Sequence, residues 1–349
     1  MRLSDAVMKP PTRVAVVGVG RFGRHHVRVY REMPEAELVG VFDIDERKAA
    51  EVSNEFRCRK FSHLEDLIRE ADAVSLAVPT DKHAELSQRL MEAGIDVLVE
   101  KPMARSAVEA EALIASARRN QRILQIGHLE RFNPAVRAAR EIVSVPLFFE
   151  VHRLSLFSPR SLEIDVVLDL MIHDLDIVLS LVDSMPEEIR GVGLAVLSPK
   201  IDIANVRICF QNGCVANFTA SRVSTEKVRK LRWFQPHEYV SVDYARQEVS
   251  VTTVDVTGRE PALAYRRLEA PRDEPLRLQL SDFLMNVRQR KTPRIGGEEG
   301  QRALLLAQRI LEEIGRHASR LKIEGGIAAV LSESEPAREA LFSEPRNFL

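Results

Sequence analysis

The stretch RVAVVGVGRFG, from Arg13 to Gly23, predicts the architecture of the first third of the chain. A run of β-branched and small apolar residues leads into G-x-G-x-x-G, which is formed by Gly18, Gly20 and Gly23. Where this motif follows a strand and begins a helix, its glycines allow a tight turn, close approach of the backbone to a pyrophosphate, and close helix–strand packing. We therefore expect a strand–turn–helix unit that binds a dinucleotide, with Arg21 and Phe22 at the start of the helix.

Four further apolar runs follow the first, and helical patterns separate them. They are ELVGVFD from Glu37, AVSLAVP from Ala73, DVLVE from Asp96 and ILQIG from Ile123. Near-continuous apolar runs are typical of strands that are buried on both faces of a parallel sheet. The repeated strand–helix units predict an α/β Rossmann domain with a doubly wound parallel sheet, which we assign to residues 1–131.

The pattern changes after residue 131. Asn133 and Pro134 are favourable as the cap and first residue of a helix. The predicted elements that follow are a strand PLFFEVHRLSLF from Pro146, a helix VVLDLMIHDLDIVLSLV from Val166, alternating strands from Glu188 to Val254, and helices from Pro275 and Glu298. Residues 132–325 therefore predict an α+β domain with a mostly antiparallel open sheet. Residues 326–349 form a tail whose packing the sequence does not predict.

Charge and composition exclude several classes of protein. Among 349 residues, 50 Lys and Arg stand against 51 Asp and Glu, a balance that argues against a nucleic-acid-binding protein. No apolar run approaches the ~18 residues of a membrane span, and the N-terminus lacks a secretory signal, so we expect a cytoplasmic protein. The three cysteines lack metal-site or disulfide spacing, and no metal is expected. A two-residue turn at Asn212-Gly213 would place Cys209 opposite Ala216.

The end of the second strand indicates which cofactor is bound. Asp43 lies twenty positions beyond Gly23, where an acidic side chain can bond the ribose hydroxyls of the adenosine. A carboxylate there would repel a 2′-phosphate, which favours NAD over NADP. Arg47 stands close enough in sequence to leave NADP as an alternative.

Three further motifs resemble the Gfo/Idh/MocA family of NAD(P)-dependent sugar and polyol dehydrogenases. They are Ala77-Val78-Pro79-Thr80 with His83, the tripeptide Glu100-Lys101-Pro102, and Asp169-x-x-x-His173. The resemblance extends from Arg13 to about Leu321. It implies that the first two motifs bind the cofactor, that Lys101, Asp169 and His173 are catalytic, and that the open sheet forms a homodimer or homotetramer. Met171 departs from the glycine that many members have there, which implies a bulkier pocket wall.

Two segments resemble a narrower branch, which oxidises UDP-N-acetyl amino sugars at C3. They are GHLERFNP from Gly127 and SRVSTEKVRKLRWF from Ser221. This resemblance implies UDP-N-acetylglucosamine as substrate and a downstream aminotransferase in lipid A or O-antigen sugar synthesis. His128, Arg131 and Asn133 become candidate substrate residues. The alternatives are an inositol or free-sugar dehydrogenase, and a non-catalytic NAD-binding sensor, which would not need Lys101, Asp169 and His173 together.

Basic residues in the second segment have two interpretations. Arg222, Lys227, Arg229 and Lys230 could form a solvated face, or a positive pocket rim for a diphosphate.

The implied reaction needs a group that takes the hydroxyl proton while a hydride leaves the carbinol carbon. Lys101 at a strand end could be this base, or it could remain charged and stabilise the alkoxide. Asp169 and His173 are four apart on the predicted helix and share one face, so His173 is the other candidate base. Asp174 and Asp176 are expected to cap or solvate that helix, and His25 and His26 to lie on the surface of theirs.

Overall fold

The computed structural model describes residues 10–158, 162–255 and 261–320. The predicted tail 326–349 lies outside the described residues. The strands are β1 Thr12–Val17, β2 Ala36–Phe42, β3 Ala73–Leu76, β4 Asp96–Glu100, β5 Leu124–Gly127, β6 Phe148–Leu156, β7 Pro186–Leu194, β8 Ile203–Phe210, β9 Val215–Ser224, β10 Val228–Gln235, β11 Glu238–Asp243, β12 Glu248–Asp255 and β13 Ala262–Leu268. The α-helices are α1 Arg21–Glu32, α2 Glu46–Phe56, α3 Leu64–Glu70, α4 His83–Glu92, α5 Ala107–Arg119, α6 Pro134–Arg140, α7 Ile172–Leu181, α8 Pro275–Gln289 and α9 Gly297–Ala318.

The first sheet contains five parallel strands in the order β2-β1-β3-β4-β5. All of β3, β4 and β5 is buried, as the continuous apolar runs predicted. The predicted parallel Rossmann sheet is confirmed. Chain connections leave β1 in opposite directions toward β2 and β3, so a crevice forms at the carboxyl ends of the strands, where open α/β sheets bind ligands.

The two closing helices return to the first sheet. Leu280 and Phe283 of α8 are fully buried in the cluster that contains Val14 and Val16 of β1. Helix α9 belongs to both cores, because its N-terminal Leu304 packs with the first sheet while its later residues pack with the second. Helices from beyond residue 131 therefore pack against the first sheet. The boundaries 1–131 and 132–325 stay a prediction.

The second sheet contains eight strands in the order β13-β12-β11-β10-β6-β9-β8-β7. Only the β6–β9 pair is parallel, so the described sheet is mostly antiparallel, and the predicted α+β architecture is confirmed. Phe149, Trp233 and Phe218 point into the core formed with α7 and α9. Strand β13 lies beyond Val254, where the predicted strands ended.

Two local details differ from the sequence expectations. The predicted helix from Val166 begins with a π-helical turn, Val167–Met171, before α7 starts. At the β8–β9 hairpin, the amide of Gly213 donates to the carbonyl of Phe210 (2.9 Å), and Cys209 pairs with Val215. The expected Cys209–Ala216 pair was wrong because the turn contains one more residue than assumed. All three cysteines are free thiols.

Candidate active site

The carboxyl ends of the five parallel strands bring the predicted cofactor residues to one edge of the sheet. Gly18 follows β1, Asp43 follows β2, residues 77–80 follow β3, Lys101 follows β4 and His128 follows β5. Because these strands are parallel and adjacent, residues up to 110 positions apart in the chain lie along a single crevice.

The glycine turn leaves an open space at the start of α1. Gly18 has φ +85°, and a Cβ there would lie 2.6 Å from the carbonyl oxygen of Ala77. A Cβ on Gly23 would lie 1.9 Å from the carbonyl oxygen of Gly18. A Cβ on Gly20 would meet no atom within 4 Å. The turn is thus closed by Gly18 and Gly23 and open at Gly20, beside the helix N-terminus, and this shape fits a dinucleotide pyrophosphate.

The Asp43 side chain links this turn to the end of β2 by hydrogen bonds. Its carboxylate accepts hydrogen bonds from the amides of Val19 (2.8 Å) and Asp45 (2.9 Å). The side chain therefore stands beside the glycine turn, at the strand end from which an acidic residue binds ribose hydroxyls in Rossmann folds. Arg21 is exposed at the helix start, whereas the ring of Phe22 packs edge-on against His26 at 5.1 Å.

Two predicted cofactor residues lie behind the crevice. His83 is 1% exposed, and its ring nitrogens contact the carbonyl oxygens of Val78 and Pro102, each at 2.9 Å. Glu100 is buried, with its Oε1 3.3 Å from Nε2 of His26. Both side chains are therefore buried, and the peptide bond between Lys101 and Pro102 is cis.

The expectation that His26 lies on a helix surface was wrong. His26 is fully buried, as are Gly23, Val27 and Tyr30 of the same helix. These positions follow the i, i+3, i+4, i+7 spacing of one helical face, a signal that the sequence carried and that would have identified the burial. His25 is exposed, as expected.

Lys101, which follows β4, contacts Asp169 in the helical turn before α7. The Lys101 ammonium donates to the backbone carbonyl of Asp169 at 2.6 Å and lies 3.5 Å from its carboxylate. Asp169 belongs to the π-helical turn, a feature that is often found at functional sites. The structure therefore brings together two of the predicted catalytic residues, which are 68 positions apart.

His173 and His128 are neutral imidazoles close to this pair. Burial, followed by the charges of Lys101 and Arg153, lowers the pKa of His173 well below that of an ordinary histidine. Burial likewise lowers the pKa of His128. Neither ring nitrogen of His128 has a hydrogen-bond partner among the described residues, and the same holds for Nδ1 of His173. Unpaired buried polar atoms are costly, so their concentration here marks a place that suits a polar ligand.

A buried ion cluster that the sequence analysis missed fixes α7 in place. Arg153 of β6 makes two hydrogen bonds to Asp174, at 2.6 and 2.9 Å, and one to Glu130 at 3.0 Å. Burial alone would raise the pKa of Glu130, but the guanidinium groups of Arg153 and Arg229 outweigh it and lower the pKa. The cluster ties the helix that carries His173 to the 3₁₀ turn after His128, Leu129–Phe132.

The expectation that Asp174 and Asp176 cap or solvate the helix was wrong, because both are buried. Asp176 pairs with Arg131 through one contact at 3.4 Å, whereas Asp174 binds Arg153 through both of its oxygens. A signal was present in β6: Phe149 and Val151 point inward, and the two-residue period places Arg153 on the same face. An arginine on a core-facing strand position needs acidic partners.

Asn133, a candidate substrate residue, is a structural cap. Its Oδ1 accepts from the amide of Ala135 at 3.0 Å, which begins α6 as predicted. Its Nδ2 donates to the carbonyl of Tyr244 at 3.0 Å. Because the amide is buried and engaged on both sides, the structure gives it no contact with the crevice. Arg131 is similarly held inward by Asp176.

The predicted basic rim is dispersed. Arg222 is buried, where it donates to the carbonyl of Ile164 and lies 3.7 Å from Asp202. Lys227 is exposed on the turn after β9, and Lys230 is partly buried in β10. Arg229 alone approaches the site: it lies 3.7 Å from Glu130, and its charge acts on His173.

Within the described parts of the chain, no group of three or more His, Cys, Asp or Glu side chains could hold a metal ion. None of the described helices is long and apolar enough to span a membrane.

A parallel sheet with a glycine turn at its switch point is the architecture of dinucleotide-binding oxidoreductases. A sequence model described as "Oxidoreductase family, NAD-binding Rossmann fold" matches residues 12–128. A UDP-N-acetylglucosamine 3-dehydrogenase from Acidithiobacillus ferrooxidans is 38% identical over 302 residues, which cover 85% of this chain and 96% of the relative. The chain belongs to the Gfo/Idh/MocA family, as its motifs indicated.

A solved structure and a second relative also match most of the chain. A solved structure of the Acidithiobacillus ferrooxidans UDP-N-acetylglucosamine 3-dehydrogenase superposes with a TM-score of 0.82 at 36% identity, covering 87% of this chain and 98% of that one. A myo-inositol 2-dehydrogenase from Thermotoga maritima is 26% identical over 323 residues, covering 86% of this chain and 96% of the relative. The likeness therefore extends through both sheets.

Proposed function

We propose that the protein is an NAD-dependent dehydrogenase that oxidises C3 of UDP-N-acetylglucosamine. The observation that carries this proposal is the 38% identity to a UDP-N-acetylglucosamine 3-dehydrogenase over 96% of that relative's length. The myo-inositol 2-dehydrogenase matches over an equal share of its length at only 26% identity, which makes inositol the second candidate substrate.

The cofactor belongs in the crevice at the strand ends. Gly20 at the open glycine turn and Asp43 at the end of β2 would hold its pyrophosphate and adenosine ribose. When bound, NAD supplies the acceptor for the hydride that leaves the carbinol carbon. Residues 77–80 and Lys101 line the remainder of the crevice in this proposal, and the side chains of His83 and Glu100 support them from behind.

We assign different roles to Lys101 and His173. The Lys101 ammonium lies 3.5 Å from the carboxylate of Asp169, and we assign it the stabilisation of negative charge on the substrate oxygen. His173 has a lowered pKa and is neutral near pH 7, so its imidazole has a lone pair available for the hydroxyl proton. Asp169 positions Lys101, and His128 offers the substrate a further polar contact.

The test measures turnover of the intact protein with NAD and UDP-N-acetylglucosamine. Oxidation of an alcohol by NAD is uphill, so the assay includes an aminotransferase and its amino-acid donor, which convert the 3-keto product and draw the reaction forward. Lys101→Met and His173→Asn should each lower kcat by roughly 10²–10⁴-fold, the usual contribution of a proton-transfer or charge-stabilising group. NADH binding, followed by fluorescence, should stay close to that of the unmodified protein.

The comparison of substrates decides the assignment. Free N-acetylglucosamine and myo-inositol should be poor substrates, because the diphosphate provides binding energy that positions C3. Efficient turnover of myo-inositol by a protein that leaves the UDP-sugar unchanged would replace the first proposal with the second. Full activity of Lys101→Met would remove that residue from the mechanism.

The wider setting is also a proposal. A 3-keto sugar nucleotide is a substrate for an aminotransferase, which would place the enzyme in lipid A or O-antigen sugar synthesis in the cytoplasm. We propose a homodimer or homotetramer that forms through the face of the second sheet opposite its helices. Phe148, Phe234 and Tyr239 support this, because their rings stack at 5.7 and 4.8 Å on that face and Phe234 is 41% exposed. A monodisperse monomer in light scattering at micromolar concentration would contradict the assembly.

A further inference from the structure

We propose that His83 is a positioning residue that couples the cofactor loop (residues 77–80) to the lysine loop (residues 101–106). Sequence motifs suggested a direct contact with the cofactor, whereas the structure places the ring between the two loops. Only the turnover measurement below rests on the proposed dehydrogenase activity.

The contacts of the ring join two neighbouring strand ends. Nε2 lies 2.9 Å from the carbonyl oxygen of Val78, in the cofactor loop that follows β3. Nδ1 lies 2.9 Å from the carbonyl oxygen of Pro102, in the lysine loop that follows β4. His83 itself begins α4, so it is anchored outside both loops. The ring is therefore a direct mechanical link between them.

Each loop is in turn connected to a part of the site. The carbonyl of Ala77 packs against Gly18, where a Cβ would approach it to 2.6 Å, so the cofactor loop moves with the glycine turn. Pro102 directly follows Lys101, whose ammonium contacts Asp169 at 2.6 Å through the backbone carbonyl. A displacement of either loop is consequently transmitted through His83 to the other.

The protonation state of the His83 imidazole determines how many of the two carbonyls it can donate to. A neutral ring has one N–H and can donate to only one of the two carbonyls, whereas an imidazolium donates to both. Burial lowers the pKa of His83 and outweighs the hydrogen bonds to the two carbonyls and the charges of Glu100 and Asp81, which favour the charged ring. Exchange between its two tautomers lets the neutral ring donate to the Pro102 carbonyl from Nδ1 or to the Val78 carbonyl from Nε2, so each loop depends on one nitrogen of the same ring.

Two amide variants separate the halves of the link. A side-chain amide nitrogen occupies a position close to Nδ1 in Asn and close to Nε2 in Gln. His83→Asn should therefore keep the bond to Pro102 and lose the one to Val78, whereas His83→Gln should do the reverse. His83→Phe fills the space and loses both bonds.

The first measurements are NADH affinity and steady-state kinetics. His83→Asn should weaken NADH binding about tenfold and leave kcat nearly unchanged, because a lost hydrogen bond is of that size. His83→Gln should bind NADH normally but lose at least tenfold in kcat, and His83→Phe should show both defects. If His83 served only to fill space, the Asn and Gln variants would show the same defects. Equal effects of the two substitutions in both measurements would therefore overturn the proposal.

Hydrogen–deuterium exchange tests the link without turnover. In the unmodified protein, ADP-ribose, which lacks the nicotinamide, should slow exchange in peptides from both the cofactor loop and the lysine loop. His83→Phe should confine this protection to the cofactor loop. Protection that never reaches the lysine loop of the unmodified protein would overturn the proposal, even if the variants failed to fold. If UDP-N-acetylglucosamine is not turned over, the proposed substrate fails, while the binding and exchange results still decide the role of His83.

Discussion

Replacing two glycines of the same turn by alanine should produce opposite defects. Gly20 has open space where its Cβ would lie, and its φ of −59° is one that alanine adopts readily. Gly23 has no such space, because a Cβ would stand 1.9 Å from the carbonyl oxygen of Gly18. We therefore expect that ligand binding requires glycine at Gly20 and that folding requires glycine at Gly23.

The expected magnitudes follow from these distances. Gly20→Ala should keep or slightly raise stability, by about 0.4–1 kcal/mol, since alanine restricts the unfolded chain. It should weaken NAD binding at least tenfold, or about 1.4 kcal/mol, because its methyl group fills the pyrophosphate space. Gly23→Ala forces the turn apart and should cost about 3 kcal/mol, which corresponds to a fall in Tm of roughly 6–12 °C in a domain of this size.

Thermal unfolding with and without NAD, together with a fluorescence titration, distinguishes the two effects. Gly315→Ala is a matched control, since its Cβ would also meet nothing within 4 Å but lies in α9, away from the crevice. It should be slightly stabilising and should bind NAD normally. The reasoning is refuted if Gly20→Ala destabilises the NAD-free protein as much as Gly23→Ala does, or if it binds NAD like the unmodified protein.

Two more predictions concern cofactor choice and pH. Asp43→Asn removes the charge and keeps one of the two oxygens that accept from backbone amides, so it should narrow the preference for NAD over NADP at a smaller cost in stability than Asp43→Ala. Equal affinities of the unmodified protein for both cofactors would contradict this. Because the pKa values of buried His128 and His173 are lowered, the unfolded chain binds protons that the native state does not below about pH 6.5, and the free energy of unfolding should fall from pH 7 to pH 5. Urea unfolding across this range measures how steeply the free energy of unfolding changes with pH. The slope should be shallower in His128→Phe, and a flat profile in the unmodified protein would contradict the argument.

Local sequence patterns were sufficient for most of the fold. The strands of the first sheet are continuous apolar runs, and the Asn133-Pro134 pair begins α6 as predicted. Such signals involve residues within a few positions of each other, where hydrogen bonding and burial follow a fixed period. His26 shows that a local signal can also be overlooked, since its helical spacing already indicated the buried face.

The site was predictable as a set of residues but not as an arrangement. Motifs identified Lys101, Asp169 and His173, yet they gave no reason for Lys101 to bond the backbone of Asp169, because that contact depends on a π-helical turn. The turn packs against α9 and β9, which are distant in the chain, so its own residues do not predict it.

The sequence by itself determined a dinucleotide-binding Rossmann domain, a second mostly antiparallel sheet and the motifs of a dehydrogenase family. Tertiary structure alone decided that Arg153 is neutralised by Asp174 and Glu130, and that His83 joins two loops instead of facing the crevice. The physical reason is that a buried polar group must find partners within about 3 Å. Those partners come from strands and helices that are distant in the chain, and only the packed fold determines which of them are near.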